Sequence, residues 1–500
     1  MKGVVLQTPK DYGLPYPSWR PGQLEAIEEI TYSPVNANFL SAPTSFGKSG
    51  VGFALSRALG NATILTSTKQ LANQYLRDWP MLDEMKGRAN YPCLMEEGKT
   101  AANAKCTLKD HRFLCPISEP YVVARDRYIR SSAAVTNYDY YMLSNMRNGG
   151  FVIADEAHTL EHHLSAHTDV HMPGKDLPDI NLNDVPAWQA WAAGYANQLE
   201  IAMILSGDEA LQPKIDKIRG FATSNIPWVM EPNWQGISAK ALWPRDSFHK
   251  LFGRKYGRLL LMSATFMDYA KYAEITGIPE PYGIIELDSN IPVSQRMLYY
   301  CPLLHMSHAN PESEVKITDT VDRLLSAYYP LPALVHTQNY KTAKLIMENS
   351  RYKYAMATHT MGNREQIFSD YASGSGFRVL VSPSLGLGVD FPNIQGLNII
   401  VKYPFPNSSE RLVAARMKAD PEWYAAVTAA DLSQEYGRGS RVVGHVADTW
   451  IIDDNHERMY NRHSRLYPKF VREALRDIPI DMFTSFIARR GDIVRKAHNV

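Results

Sequence analysis

The stretch from Ala42 to Ser49 constrains the fold of this chain more than any other part of its sequence. Its residues, Ala-Pro-Thr-Ser-Phe-Gly-Lys-Ser, follow the apolar run Asn38 to Leu40, typical of a buried strand, and precede Val51 to Leu55, typical of a helix. A small-residue loop that ends in Gly-Lys-Ser between a strand and a helix predicts a phosphate-binding loop (P-loop). Its backbone amides point at phosphates, and the helix dipole stabilises negative charge there. We expect Lys48 to reach the β and γ phosphates of ATP and the Ser49 hydroxyl to hold Mg²⁺.

A glutamine upstream of this loop is a second candidate for nucleotide binding. Gln23 precedes an amphipathic helix predicted from Leu24 to Ile30. Its side-chain amide can both donate to and accept from the edge of an adenine. The alternative is a polar residue that only starts the helix, but its position beside the loop favours adenine. The loop residues expected to contact ATP together with Gln23 are Thr44, Ser45, Phe46, Gly47, Lys48 and Ser49.

An acidic pair follows another predicted buried strand. The run Phe151 to Ala154 leads into Asp155, Glu156, Ala157 and His158. The carboxyl ends of parallel strands are where open α/β sheets place catalytic groups. Asp155 is expected to bind Mg²⁺ directly or through water, Glu156 to deprotonate the attacking water, and His158 to couple nucleotide state to the neighbouring domain. A solvated loop is the alternative, and it fits poorly with the apolar run before it.

Two more predicted strands end in hydroxyl residues. The β-branched run Ala62 to Thr66 is followed by Ser67 and Thr68, which could contact nucleic-acid phosphates or cap the next helix. The run Leu259 to Met262 leads into Ser263-Ala264-Thr265, whose hydroxyls could link the acidic pair to a second domain.

The most informative motif of the C-terminal half is Gln434-Glu-Tyr-Gly-Arg438-Gly-Ser-Arg441. Its two arginines are three residues apart, which predicts that they share one helix face. Both are expected to point at the γ-phosphate and stabilise charge on the transferring phosphoryl group, with Gln434 on the nucleotide or its water. A surface helix with solvated arginines is the alternative. Asp390, after the glycines of Gly386 to Gly388, could accept a ribose hydroxyl or hold an arginine.

Composition limits the class of protein. A chain of 500 residues with 45% hydrophobic and 21% charged residues is expected to form two or more globular domains. No apolar run is long enough to span a bilayer, and the N-terminus lacks a signal-peptide pattern, so a cytoplasmic protein without membrane contact is expected. The net charge is +1, so any nucleic-acid binding must come from a local groove.

In this order the motifs resemble those of superfamily 2 helicases with a DEAH box, and more closely those of the XPD/DinG family. Two segments, Lys86 to Cys93 and Ala134 to Tyr140, resemble that family's entry to and return from its cysteine insertion. The long stretch between the acidic pair and Ser263 matches the position of its arch insertion. The resemblance implies two RecA-like α/β domains with parallel sheets, ATP and Mg²⁺ between them, and 5′-to-3′ DNA unwinding. It also implies binding to single-stranded and forked duplex DNA, in DNA repair or replication.

The family's cysteine insertion carries a [4Fe–4S] cluster on four cysteines. This chain has three cysteines there, and a histidine stands near the expected third position; the corresponding residues are Cys93, Cys106, His111 and Cys115. Thiolates hold iron–sulfur clusters and histidine can replace one of them, whereas three cysteines and one histidine also suit zinc. A degenerate insertion without metal is the third possibility.

These motifs divide the chain into four parts. The first RecA-like domain is predicted to comprise residues 1–85, 131–165 and 246–275, and the second residues 276–500. Residues 86–130 form the cysteine insertion, and residues 166–245 a mainly helical arch-like insertion. Other functions that the same sequence allows are an ATP-driven translocase, an RNA helicase, and a nucleotide-dependent remodelling module that unwinds nothing.

Overall fold

The structure is a computed structural model that describes residues 7–44, 46–104, 119–144, 150–174, 177–253, 255–306, 311–360, 362–383 and 395–500. Five of the predicted site residues lie outside these ranges, namely Ser45, Cys106, His111, Cys115 and Asp390.

The strands of the described residues are, in chain order, β1 (Ala37–Ser41), β2 (Ala62–Thr66), β3 (Asp83–Met85), β4 (Ala133–Asn137), β5 (Gly150–Asp155), β6 (Val170–Pro173), β7 (Trp228–Asn233), β8 (Gly236–Ala241), β9 (Tyr256–Ser263), β10 (Tyr282–Glu286), β11 (Leu298–Leu304), β12 (Ala333–His336), β13 (Met356–Ala357), β14 (Val379–Ser382), β15 (Leu397–Ile400), β16 (Asp448–Asp453) and β17 (Leu475–Asp477).

The helices in the same ranges are α1 (Gln23–Tyr32), α2 (Lys48–Leu59), α3 (Lys69–Asp78), α4 (Pro120–Arg130), α5 (Tyr138–Leu143), α6 (Leu160–Thr168), α7 (Val185–Ser206), α8 (Gln212–Ala222), α9 (Arg245–Leu251), α10 (Tyr269–Thr276), α11 (Pro311–Tyr328), α12 (Tyr340–Asn349), α13 (Arg364–Ser373), α14 (Arg411–Ala419), α15 (Pro421–Tyr436), α16 (Asn455–His463), α17 (Lys469–Arg472) and α18 (Phe483–Ala497). Within the described ranges, no helix has the length and apolar character needed to cross a membrane.

The first sheet gathers the predicted nucleotide motifs at one edge. Its order is β10-β1-β9-β5-β2-β4-β3, and all its pairings are parallel. The central strands are continuous apolar runs because helices cover both faces of the sheet. The parallel register brings the carboxyl ends of β1, β5 and β9 together, so Ser41, Asp155 and Ser263 lie on the same edge.

The first sheet extends further along the chain than the sequence indicated. Strand β10 pairs with β1, from Ala37 opposite Tyr282 to Ser41 opposite Glu286. The predicted start of the second domain at residue 276 is therefore wrong, since this strand belongs to the first domain. The pattern of a short edge strand contains no signal for which of two sheets it joins, because both sheets are parallel.

The second sheet has the order β13-β14-β12-β15-β16-β11-β17, again with parallel pairings throughout. Every residue of its strands β12, β14 and β15 is buried. Cys301 lies in β11 and is fully buried, as expected of a core residue. Two sheets of this kind confirm the predicted pair of RecA-like domains.

The segment between α6 and α9 forms a small domain of its own. Helices α7 and α8 pack on an antiparallel sheet of order β6-β8-β7, and Trp188 lies fully buried between them. The sequence predicted a mainly helical insertion but not the sheet, because the short strands show little alternation of apolar and polar residues. Trp188 is a core residue, whereas Trp234, at the turn between β7 and β8, is 90% exposed.

Candidate nucleotide site between the two domains

The P-loop begins at the end of β1 and ends where α2 starts at Lys48. Gly47 has a φ of +86°, and a Cβ atom there would lie 2.8 Å from the Gln23 side-chain nitrogen, so only glycine fits. Gln23 Nε2 donates to the Phe46 carbonyl at 2.8 Å, and Gln23 Oε1 accepts from the Arg20 amide at 2.9 Å. Both ends of this glutamine amide therefore brace backbone at the loop, and its contact with adenine stays a prediction.

Lys48 is directed back onto the loop that precedes it. Its Nζ donates to the carbonyls of Ala42 at 2.9 Å and Pro43 at 3.3 Å. Burial lowers the pKa of Lys48, while the carboxylates of Glu156 and Asp155 act in the opposite direction. A buried ammonium beside the loop amides is suited to bind phosphate oxygens.

Asp155 is held by donors on both of its carboxylate oxygens. Oδ2 accepts from the Tyr75 hydroxyl at 2.7 Å and from the Ser49 hydroxyl at 3.3 Å, and Oδ1 accepts from the Glu156 amide at 2.9 Å. The Tyr138 hydroxyl donates to the Asp155 carbonyl at 2.9 Å. Burial, and then the charge on Glu156, raise the pKa of Asp155 to about 6.

Glu156 has a left-handed backbone, with a φ of +50°, which is uncommon for a residue with a side chain. Its Oε2 lies 3.3 Å from His158 Nδ1. Burial alone would raise the pKa of Glu156, but charge interactions with His158, Lys48, Arg438 and Arg441 together lower it. An ionised carboxylate in the site is the form that can accept a proton from water.

A chain of hydrogen bonds leads from His158, beside the acidic pair, to the second domain. His158 Nδ1 lies 2.9 Å from Ser263 Oγ, which also accepts from the Thr265 amide at 3.1 Å. Thr265 Oγ1 in turn accepts from Gln434 Nε2 at 2.6 Å. Gln434 therefore contacts the Ser-Ala-Thr segment directly.

The P-loop touches the second domain as well, since the Thr44 hydroxyl donates to the Gly437 carbonyl at 3.3 Å.

A cleft of about 920 Å³ between the domains is lined by the predicted site residues of both. From the first domain these are Gln23, Thr44, Gly47, Lys48, Ser49, Asp155 and Glu156, and from the second Gln434, Arg438 and Arg441. Arg441 is close enough to act electrostatically on both Lys48 and Glu156.

The residues of this cleft fit a magnesium nucleotide. The Ser49 hydroxyl and an Asp155 carboxylate oxygen lie 3.3 Å apart, and such oxygen ligands are those Mg²⁺ prefers. The ammonium group of Lys48 and the backbone amides at the start of α2 provide the positive charge that binds phosphates.

One detail of the sequence prediction differs from the structure. Helix α15 ends at Tyr436, so Arg438 and Arg441 lie in the turn and loop beyond it, and the expected shared helix face is wrong. Gly437 and Gly439 explain the early end, since glycine disfavours helix. At the start of α3, Thr68 is the helix cap, and its hydroxyl accepts from the Leu71 amide at 3.2 Å.

Tyr75 is the site residue that sequence reasoning missed. It lies inside a helix whose pattern indicates only packing, and no motif spacing connects it to the acidic pair 80 residues later.

Of the proposed metal ligands in the cysteine insertion, only Cys93 lies in the described ranges. It is partly buried, with its Sγ 3.8 Å from Glu119 Oε1. Among the described residues, no group of three or more His, Cys, Asp or Glu side chains is arranged to hold a metal ion.

Neither a protein-family model nor a curated protein matches the sequence. Solved structures do match. A structure of an XPD helicase has a TM-score of 0.62 at 13% identity, over 93% of this chain and 100% of that one. S. tokodaii Xpd4 gives 0.60 at 12% identity, over 92% of this chain and 100% of that chain.

This chain has the XPD helicase fold. A further XPD structure, without ligand by its name, agrees, with a TM-score of 0.57 at 14% identity over 92% of this chain and 99% of that one. The XPD-like fold accounts for the order of the motifs along the chain, since the likeness spans both RecA-like domains. The predicted fold and the resemblance to XPD-type helicases are thereby confirmed.

Proposed function

We propose that the protein hydrolyses ATP in the cleft between its two RecA-like domains and uses the cycle to translocate on single-stranded DNA and unwind duplexes. One observation carries the proposal. The loop lysine and acidic pair of the first domain line the same cleft as Gln434, Arg438 and Arg441 of the second. A site divided between two domains makes hydrolysis depend on their closure.

In this proposal each residue has a distinct part. Lys48 and the amides of the loop bind the β and γ phosphates, while Ser49 and Asp155 would hold Mg²⁺, which when bound neutralises phosphate charge. Glu156 takes a proton from the attacking water. Arg438 and Arg441 stabilise the charge that develops on the transferring phosphoryl group.

The hydrogen-bonded chain through His158, Ser263, Thr265 and Gln434 supports coupling between hydrolysis and domain movement. A change in the position or charge of the Glu156 carboxylate would be transmitted to the second domain through these polar contacts. A difference in affinity for DNA between the open and closed states of the cleft would then move the protein along one strand.

DNA as the substrate, and movement from 5′ to 3′, rest on the resemblance of the motifs. Arg127 and Arg130 on α4 are exposed within the segment predicted to be the cysteine insertion, where they could contact phosphates of a single strand.

The test is ATP hydrolysis with and without oligo(dT) or oligo(rU), followed by strand displacement on forked duplexes with a 5′ or a 3′ tail. We expect stimulation by oligo(dT) and displacement only from the 5′ tail, with Lys48→Ala inactive in both assays. Stimulation by RNA alone would indicate an RNA helicase, and stimulation without displacement a translocase. A protein that binds ATP but hydrolyses none, with or without a strand, would contradict the proposal and leave a remodelling module.

A [4Fe–4S] cluster in the cysteine insertion remains a prediction of the sequence, with zinc and no metal as its alternatives. Metal analysis and visible absorption of protein purified without oxygen separate the three. About four iron atoms per chain with broad absorption are expected for the cluster. One zinc per chain, or no metal, would exclude it and leave the nucleotide site unaffected.

A further inference from the structure

Tyr75 contacts the acidic pair from a helix that no nucleotide motif includes. Its hydroxyl donates to Asp155 Oδ2 at 2.7 Å, whereas the Ser49 hydroxyl reaches the same oxygen at 3.3 Å. Both Tyr75 and Asp155 are buried, with 0% and 3% of their surface exposed. The shorter of the two bonds to this carboxylate oxygen therefore comes from outside the P-loop.

The ring of Tyr75 is fixed by packing between two helices. It lies against Trp79 with ring centroids 5.2 Å apart, and Trp79 stacks on Phe53 at 4.7 Å with nearly parallel planes. Phe53 belongs to α2, the helix that starts at Lys48. The tyrosine hydroxyl is thus held in a fixed position relative to both the phosphate-binding helix and Asp155.

A carboxylate that binds Mg²⁺ must present one oxygen in a narrow orientation, because Mg²⁺ demands near-ideal octahedral geometry. A second hydrogen-bonding partner that fixes a ligand's orientation typically changes metal affinity by 10- to 100-fold. Without the Tyr75 hydroxyl, the described contacts to the Asp155 side chain come from Ser49, itself an expected Mg²⁺ ligand, and from the adjacent Glu156 amide.

We propose that Tyr75 is a positioning residue that orients the Asp155 carboxylate for Mg²⁺. This inference rests on the proposed hydrolysis of ATP in the same cleft. Tyr75 acts through Asp155 and is not expected to touch the nucleotide. Its loss should therefore weaken the response to Mg²⁺ rather than the binding of nucleotide.

The substitution Tyr75→Phe tests this, because it removes the hydroxyl and keeps the packed ring. Hydrolysis is measured at saturating ATP over a range of Mg²⁺ concentrations, and binding of a fluorescent ATP analogue is measured in EDTA. We expect the Mg²⁺ concentration for half-maximal rate to rise about tenfold, with analogue binding in EDTA unchanged.

Tyr328→Phe is the matched control. Tyr328 is also 0% exposed, and its hydroxyl donates to the buried Asp448 at 2.8 Å in the second domain, away from the cleft. It should lower the melting temperature without changing the Mg²⁺ response. Should Tyr75→Phe fail to fold, Tyr75→Met gives the same comparison.

An unchanged Mg²⁺ response in a folded Tyr75 variant would overturn the inference, as would an equal shift in Tyr328→Phe. Both results assume a wild-type protein that hydrolyses ATP. A wild-type protein without hydrolysis would instead overturn the proposed function.

Discussion

At the scale of single residues, charged side chains on both sides of the cleft determine the pKa of Glu156. Glu156 is partly buried, yet its pKa is lowered, because charge interactions with His158, Lys48, Arg438 and Arg441 outweigh the effect of burial. Two of these groups come from the second domain. The electrostatics of the Glu156 carboxylate, the proposed base, thus depend on both halves of the molecule.

Arg441→Ala is expected to reduce turnover by about 10³-fold, because an arginine of this kind acts on charge that develops only in the transition state. Nucleotide binding should be largely intact, since Lys48 and the loop amides remain. Steady-state hydrolysis and titration with a fluorescent ATP analogue measure the two quantities. Arg462→Ala, an exposed arginine in the same domain, is the control and should behave as wild type. Unchanged turnover in Arg441→Ala would remove that residue from its proposed role.

The residues that could be predicted from the sequence are those with a fixed spacing. Lys48 and Ser49 follow a glycine, and Asp155 and Glu156 follow a buried strand, so local chemistry identifies them. Tyr75 could not be predicted, because its partner is distant in sequence and only the parallel packing of β2 and β5 brings them together. The left-handed backbone of Glu156 likewise could not be predicted, because glutamate is not a residue that favours this conformation.

At the scale of elements, the contact between α6 and α14 joins the domains beside the acidic pair. Arg416 on α14 donates to Glu161 Oε1 at 2.5 Å and to the Leu242 carbonyl at 2.7 Å. Its guanidinium lies over the rings of both Trp243 and Trp423, 5.1 and 5.3 Å from their centroids. Glu161 is three residues beyond His158, so this contact ties the second domain to the helix that follows the acidic pair.

Arg416→Ala should destabilise the protein by about 3–5 kcal/mol, because it leaves the carboxylate of Glu161 buried without its partner. Scanning calorimetry measures the change, and the transition that involves α6 should move to lower temperature. Lys418→Ala, an exposed cation on the same helix, should change the melting temperature by less than a degree or two. Equal melting temperatures for Arg416→Ala and wild type would show that this contact does not hold the domains together.

Strands and helices with a strong hydrophobic pattern could be predicted from the sequence. Elements whose position or limits depend on contacts with other elements could not. The apolar runs of β1, β5 and β9 indicated buried parallel strands, which they are. The end of α15 at Tyr436 differs from the prediction, because the spacing of two arginines contains no signal for the end of a helix, whereas Gly437 disfavours its continuation. The sheet of the inserted domain was missed because its strands are short.

At the scale of the whole molecule, two parallel sheets meet at the edge where their functional loops lie. The order of the motifs was enough to predict this architecture through its resemblance to that of superfamily 2 helicases. The boundary between the domains could not be placed, because β10 returns to the first sheet after α10 and no composition change marks the crossing.

We propose that hydrolysis of ATP in this cleft depends on Lys48 and Glu156. The most direct test is steady-state ATP hydrolysis by the purified protein with saturating single-stranded DNA, beside Lys48→Ala and Glu156→Gln. We predict measurable turnover in wild type and its abolition in both variants, with Glu156→Gln still binding ATP because the P-loop is intact. Near-normal turnover in either folded variant would contradict the account.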